Sequence, residues 1–134
     1  MTQRIAACSC GQLSITVEGE PLGTGVCHCL ACQRRTGSVF ATLAAFPKPW
    51  TVTGNATAYV RSGDQGGTFT FHFCPHCGST VFHTEQGVDE FVMVAVGAFA
   101  DPAFPPPQDS VYDCRRHPWV TLPASLIVFD KDPQ

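Results

Sequence analysis

The sequence predicts a mainly β domain tied together by metal-binding cysteines. Three observations carry that expectation. Apolar and polar residues alternate over short runs, no segment keeps a 3.6-residue apolar period over three turns, and seven of the eight cysteines fall in three short motifs. Alternation is the signature of a strand with one buried face, because successive side chains of an extended chain point to opposite sides.

Taken in order, Leu13, Ile15 and Val17 alternate with Ser14, Thr16 and Glu18, and Phe69, Phe71 and Phe73 alternate with Thr68, Thr70 and His72. Residues 39–46, 91–96 and 126–129 are more uniformly apolar and are expected to be more fully buried strands. Glycines at 54, 63, 66, 67, 87 and 97 punctuate these runs. A short helical turn is expected after Cys32. The Pro-rich residues 101–107 are expected to form a surface loop. No repeat, linker or low-complexity block divides the chain, so residues 1–134 are expected to form a single domain. A domain near this length buries roughly 68–70% of its unfolded surface, enough for a real core.

Composition narrows the partners. Eight basic and eleven acidic side chains leave a net charge of −3. The only adjacent basic pairs, Arg34-Arg35 and Arg115-Arg116, are too few to neutralise a run of phosphates, which argues against nucleic acid. No run of about 20 apolar residues is present, so no membrane span is expected. The first residues show no basic start followed by an apolar run, so a cytoplasmic location is expected. Only 14% of residues are charged while ten are Phe. That balance is compatible with an apolar subunit interface and hence a homo-oligomer. In a reducing compartment disulfides rarely persist, so eight cysteines require another role.

Cys74-Pro75-His76-Cys77-Gly78 has the form of a metal knuckle. Pro75 fixes one φ angle, and Gly78 permits a left-handed residue that lets the chain double back. Two thiolates make half of a tetrahedral site, and Cys8 and Cys10, placed on one face of a strand, are the natural second pair. The set Cys8, Cys10, Cys74 and Cys77 is then a closed structural zinc site. The competing reading, a redox dithiol, needs a βαβ setting that the pattern lacks.

Cys27-His28-Cys29-Leu30-Ala31-Cys32 differs. It offers three thiolates, with His28 pointing away from its neighbours in an extended segment. Three protein ligands with one open position is the arrangement of catalytic zinc. Three thiolates outweigh the charge of the dication, so the ion suits a soft fourth ligand, such as a substrate thiolate, better than water. The alternative is a second closed site with Cys114 as the fourth ligand. Arg34 and Arg35 follow directly and can grip substrate carboxylates through forked hydrogen bonds, or stand as solvated arginines.

The ordered series Cys8-x-Cys10-Gly11, Cys27-His28-Cys29-x-x-Cys32 followed by Arg34, Arg35 and Gly37, Phe73-Cys74-x-x-Cys77-Gly78, and Gly97-x-x-x-Asp101-Pro102 resembles the glutathione-dependent formaldehyde-activating enzyme family, also called S-(hydroxymethyl)glutathione synthase or centromere-protein-V-like. The resemblance spans residues 6 to about 120. It implies a Mss4-like fold of curved antiparallel sheets, a structural zinc at Cys8, Cys10, Cys74 and Cys77, and a labile zinc at Cys27, Cys29 and Cys32. It also implies carbon–sulfur bond formation between glutathione and formaldehyde. The chain departs from the common pattern at Phe71-His72 and at Asp113-Cys114-Arg115-Arg116, ahead of Pro118-Trp119.

The leading reading is therefore a zinc-dependent carbon–sulfur lyase or thiol adduct synthase. Cys27, Cys29 and Cys32 are at its centre, and Arg34, Arg35 and Arg61 are its candidate carboxylate ligands. His72, His83 and His117 are candidates for proton transfer by residue type. A second reading is a non-catalytic, zinc-stapled β-domain that binds a protein. A third is a thiol reductase acting through Cys114 with its pKa lowered by Arg115 and Arg116.

Overall fold

Residues 2–132 are described by the computed structural model. The described residues are mainly β, with 43% of them in strands and one α-helix. It divides into two compact units: residues 1–22 with 44–104, and residues 23–43 with 105–134.

In the first unit, β1 (Gln3–Ala7) pairs antiparallel with β2 (Ser14–Glu18), and β2 pairs with β5 (Thr51–Thr53). The expected alternation is realised in β2, where Ile15 and Val17 are fully buried between half-buried neighbours. A second antiparallel ladder runs β6 (Thr57–Ser62), β7 (Thr68–Phe73), β8 (Thr80–Glu85) and β9 (Val88–Ala95). The register of β7 against β8 slips between His72 and Phe73, one residue before Cys74. The slip re-aims the end of β7 as it enters the cysteine turn.

The core of this unit gathers Ala6, Leu13, Ile15, Val17, Phe46, Val81, Val92 and Val94, with Cys8 and Cys74 among them. Phe46 comes from β4 (Ala41–Pro47) and packs on Phe99 and Phe104, whose rings stack on each other at 4.9 Å. Phe99 closes a 3₁₀ turn at Val96–Phe99. The Pro-rich residues 101–107 carry no regular structure, as expected.

In the second unit, β10 (Asp109–Val111) lies between β3 (Gly23–Cys27) and β11 (Ile127–Val128), parallel to both. Thr24 and Val26 of β3 face inward. The helix α1 (Leu30–Thr36) starts three residues earlier than the expected turn and includes Cys32. Cys29 caps it, its sulfur accepting from the Cys32 backbone amide at 3.3 Å, and Gly37 ends it in the left-handed region. A thiol thus fills the capping role that Ser or Asp usually fills, which is why the helix is not announced by its sequence. Of the three more fully buried strands expected, residues 39–46 and 91–96 mix buried with half-buried positions, and residues 126–129 depart furthest. Leu126 is buried, but Ile127 and Val128 are 63% and 54% exposed, because β11 is an edge strand. No helix among the described residues is long and apolar enough to cross a membrane.

Phe46 is completely buried within an aromatic cluster. Phe46→Ala is therefore expected to cost about 3–5 kcal/mol of stability, through lost contacts and the cavity left behind. A lowered urea midpoint with an unchanged m-value is the check.

Candidate metal centres

The four-thiol group is built from two turns. After β1 the chain turns at Cys8–Gly11, with the Gly11 amide on the Cys8 carbonyl at 3.0 Å and Gly11 at φ +84°. After β7 it turns at Cys74–Gly78, with the Gly78 amide on the Cys74 carbonyl at 2.8 Å and Gly78 at φ +81°. Each glycine adopts a conformation that costs other residues strain. Cys8 and Cys10 were expected on one face of a strand. They lie instead in this turn, beyond the end of β1, and it is the reversal of the chain that brings their sulfurs together. Ser9 fastens one turn to the other: its amide and hydroxyl lie 3.2 and 2.9 Å from the Ser79 hydroxyl.

The sulfurs of Cys8, Cys10, Cys74 and Cys77 lie within 4.8 Å of one another. Cys10 sulfur is 3.7 Å from those of Cys8 and Cys74. Zinc–sulfur bonds of about 2.3 Å in a tetrahedron set sulfurs about 3.8 Å apart, whereas a disulfide needs about 2.05 Å. All eight cysteines are free thiols. The donor set therefore fits a tetrahedral metal ion.

Hydrogen bonds converge on these sulfurs. The Leu13 amide reaches Cys8 at 3.3 Å, and the His76 amide and the Gln12 side-chain amide reach Cys74 at 3.3 and 3.0 Å. Gln12 is itself held at both ends by the backbone of Asn55. Such donors favour the thiolate. The backbone amide of Ser79, and then its side chain, hold Cys77 down to about 5. Burial alone would raise Cys74, but the Gln12 amide and the amides of Cys77 and His76 outweigh it and lower the thiol. At Cys10 the Gln12 backbone amide lowers the pKa, and desolvation with the three neighbouring thiols outweighs it and pushes the group up to about 11. Thiols this close titrate as a set, sharing protons unless a cation neutralises them together.

The three-thiol group sits where β3 ends and α1 begins. Cys27 is the last residue of β3, Cys29 the cap of α1, and Cys32 lies in its first turn. Their sulfurs also lie within 4.8 Å of one another. Hydrogen bonding to Cys29 and then Cys32, together with burial, pushes the Cys27 thiol up. Cys32 is raised too: its bond to Cys27 lowers it, and the Cys29 thiol and burial outweigh that. Cys114, in the same unit, is exposed on a 3₁₀ turn and does not join the group. His28 is no member either. It is fully buried, with Nε2 3.0 Å from the Ser110 hydroxyl, and burial pushes its pKa down.

The other candidate residues divide between the units. Arg35 reaches the Cys32 sulfur at 3.7 Å, and Arg34 is exposed on the same helix. His117 also lies in the second unit, bonded through Nε2 to Gln33, the residue after Cys32. Arg61 lies in the first unit, its guanidinium 5.7 and 5.0 Å from the rings of Phe69 and Phe71. His72 stacks on Phe82 at 4.5 Å with its pKa lowered by burial, and His83 lies 6.0 and 4.6 Å from the Phe69 and Phe71 rings. Gln12, Ser79 and Ser110 escaped the sequence reading. Gln12 lies 62 positions from Cys74, Ser79 lies 70 from Ser9 and Ser110 lies 82 from His28, and neutral polar contacts at such separations leave no local pattern.

Comparison with known proteins agrees with the motif series. The family model for the glutathione-dependent formaldehyde-activating enzyme matches residues 3–115. A crystal structure of a Rhodobacter sphaeroides protein is similar over 70% of this chain and 85% of that one, with 26% identity and a TM-score of 0.54. No curated protein matches the sequence.

The two turns that carry the four thiols each close on a metal-shaped set of sulfurs. Structural zinc contributes about 10–16 kcal/mol in small peptides. Cys77→Ser is accordingly expected to give insoluble or largely unfolded protein, and Cys114→Ser to leave the melting temperature unchanged. A Cys77→Ser protein that melts like the parent would contradict the assignment.

Proposed function

The chain belongs to the glutathione-dependent formaldehyde-activating enzyme family, and from that premise we propose that it joins a small thiol, glutathione first among them, to a small aldehyde such as formaldehyde. The reaction is an addition: the sulfur–carbon bond forms, the thiol proton passes to the carbonyl oxygen, and nothing is oxidised. Its reverse is carbon–sulfur lyase chemistry. The chain is assigned a Mss4-like arrangement of curved, mainly antiparallel sheets, in which β10 departs by pairing parallel with β3 and β11, with residues 1–134 acting as one zinc-binding domain in the reducing cytoplasm.

The observation that carries this reading is the gathering of Cys27, Cys29 and Cys32 without Cys114 or His28. Three protein donors leave a tetrahedral ion one position for a substrate. We assign one zinc to these three cysteines and a second to Cys8, Cys10, Cys74 and Cys77. Bound at the three-thiol group, zinc supplies a soft acceptor that favours the thiolate form of an arriving thiol.

The protein's own residues do the rest. Cys29 holds the start of α1, which fixes the spacing between the second and third thiol. Arg35 stands 3.7 Å from the Cys32 sulfur, where it offsets the excess negative charge of three thiolates. Arg34 and Arg35 together suit a substrate with free carboxylates, such as the glycine and glutamate ends of glutathione. Arg61 is retained as a carboxylate ligand only by residue type. Among the histidines, His117 has the strongest claim to proton transfer, because its partner Gln33 directly follows Cys32.

Two measurements test the proposal. A mild chelator is expected to remove about one zinc without unfolding the chain, the three-thiol group releasing first. In cobalt-substituted protein, added glutathione is expected to strengthen the sulfur-to-metal absorption as a further sulfur joins. Cys114→Ser should leave that response intact, while Arg34→Ala with Arg35→Ala weakens glutathione binding, each arginine contributing about 1.5–3 kcal/mol. Two ions leaving together with the fold, and no response to thiol, would favour a closed site and a protein-binding module.

A further inference from the structure

The segment Ser110 to His117 is tied at four points to the residues around the three thiols. Ser110 donates its hydroxyl proton to Asp113 Oδ1 at 3.1 Å, since a carboxylate only accepts. Its oxygen is then left to accept, so His28 donates from Nε2 at 3.0 Å. The tautomer is fixed by this order: His28 carries its proton on Nε2, and its buried Nδ1 has no partner. Arg116 closes the outer end, with Nε 2.9 Å from Asp113 Oδ1 and a further nitrogen 3.4 Å from Oδ2. A continuous chain thus runs from Arg116 through Asp113 and Ser110 to His28, and His28 is the single residue between Cys27 and Cys29.

The main chain of His28 is held as firmly. Its amide donates to the Val111 carbonyl at 3.1 Å, and its carbonyl accepts from Gln33 Nε2 at 2.9 Å. Gln33 also donates to the Arg115 carbonyl at 3.3 Å and accepts from His117 Nε2 at 3.0 Å. His28 and Ser110 are both fully buried, so neither can exchange these partners for water.

We propose that Ser110, Asp113 and Arg116 are positioning residues that act through His28 to hold Cys27 and Cys29 at the spacing a metal ion requires. The inference rests on the reading that the three-thiol group binds the ion. β3 ends at Cys27 and α1 begins at Leu30, so His28, between the two ligands, lies in neither element. What grips it therefore bears directly on the spacing of Cys27 and Cys29. Groups that orient metal ligands in this way typically change metal affinity by about 10–100-fold when removed.

The test uses the full chain loaded with cobalt and follows release to a competing chelator. Wild-type protein should release in two phases, a fast one from the three-thiol group and a slow one from the four-thiol group, which serves as an internal control. Ser110→Ala should speed the fast phase by about 10–100-fold and leave the slow phase unchanged. A variant that merely loosened the fold would shift both. Should Ser110→Ala not fold, Arg116→Gln cuts the exposed end of the same chain. It should speed the fast phase by at least about three-fold, with Arg116→Lys restoring most of the loss. A fast phase that matches wild type in every variant that folds overturns the inference while the functional reading stands. A wild-type protein with no fast phase overturns both.

Discussion

The structure depends on bringing four sulfurs that are distant in sequence to one point. Cys8 and Cys10 meet Cys74 and Cys77 at the ends of two turns, and closing a loop of that length carries an entropic cost that grows slowly but must be met at once. Sulfur–sulfur contacts alone do not meet it. Thiols crowded to 3.7 Å either share protons or repel as thiolates, so the closure calls for a cation. Around it, the first unit has arranged its donors for anions: the amides of Leu13 and His76 and the side chain of Gln12 all point at sulfur. Cys8 and Cys74 are also core residues, packed among Leu13, Ile15 and Val81. The centre and the hydrophobic core are therefore one structure, and displacing a sulfur disturbs the packing beneath it.

The second centre obeys a different economy. Its thiols lie within a span of six residues, so local turn geometry does most of the gathering, and α1 begins with a cysteine as its cap. The donors at its sulfurs include the Cys29 amide on Cys27, the Cys32 amide on Cys29 and the Arg35 side chain on Cys32. Cys27 is pushed toward the protonated form by its bonds to Cys29 and Cys32 and by burial, and Cys32 by Cys29 and burial against the lowering effect of its bond to Cys27. In the first centre Cys74 and Cys77 are instead lowered, by the donors around them. Cys10 is pushed up in the first centre as well, so the two centres differ at Cys74 and Cys77, whose donors hold them toward the charged form. On the proposed reading, the first suits a permanent ion and the second an exchangeable one.

Much of this was legible in the sequence because it is local or periodic. The strands Ser14–Glu18 and Thr68–Phe73 show their alternation directly, and the grouping of seven cysteines names both centres, since thiols are rare enough that their spacing carries information. The misplacements share a cause. Cys8 and Cys10 are two residues apart, a spacing a strand and a tight turn satisfy equally, and only the hydrogen bond from Gly11 to Cys8 distinguishes them. The helix began before Cys32 because a cysteine cap is not among the usual signals. Residues 126–129 read as buried because apolar runs do not reveal whether a strand lies inside a sheet or at its edge. What could not be read at all are the neutral polar partners, Gln12 on Cys74 and Ser110 on His28, which depend on tertiary proximity alone.

His28 shows how far residue type can mislead about role. A histidine between two cysteines is by chemistry an obvious ligand, and alternation alone argues against it. The structure supplies the physical reason: its Nε2 is committed to Ser110, and its ring is buried against Phe40 at 5.8 Å. A ligating histidine would need a ring nitrogen directed at the sulfurs' common centre, and the three-thiol group forms without it. Excluding His28 and Cys114 from that group leaves three donors of one kind, all soft. That donor set narrows the chemistry more than the fold does, because a tetrahedral ion with three thiolates prefers a polarisable fourth partner to water. On the proposed reading, the preference for a thiol originates in the ligands, and the arginines of α1 have only to choose among thiols.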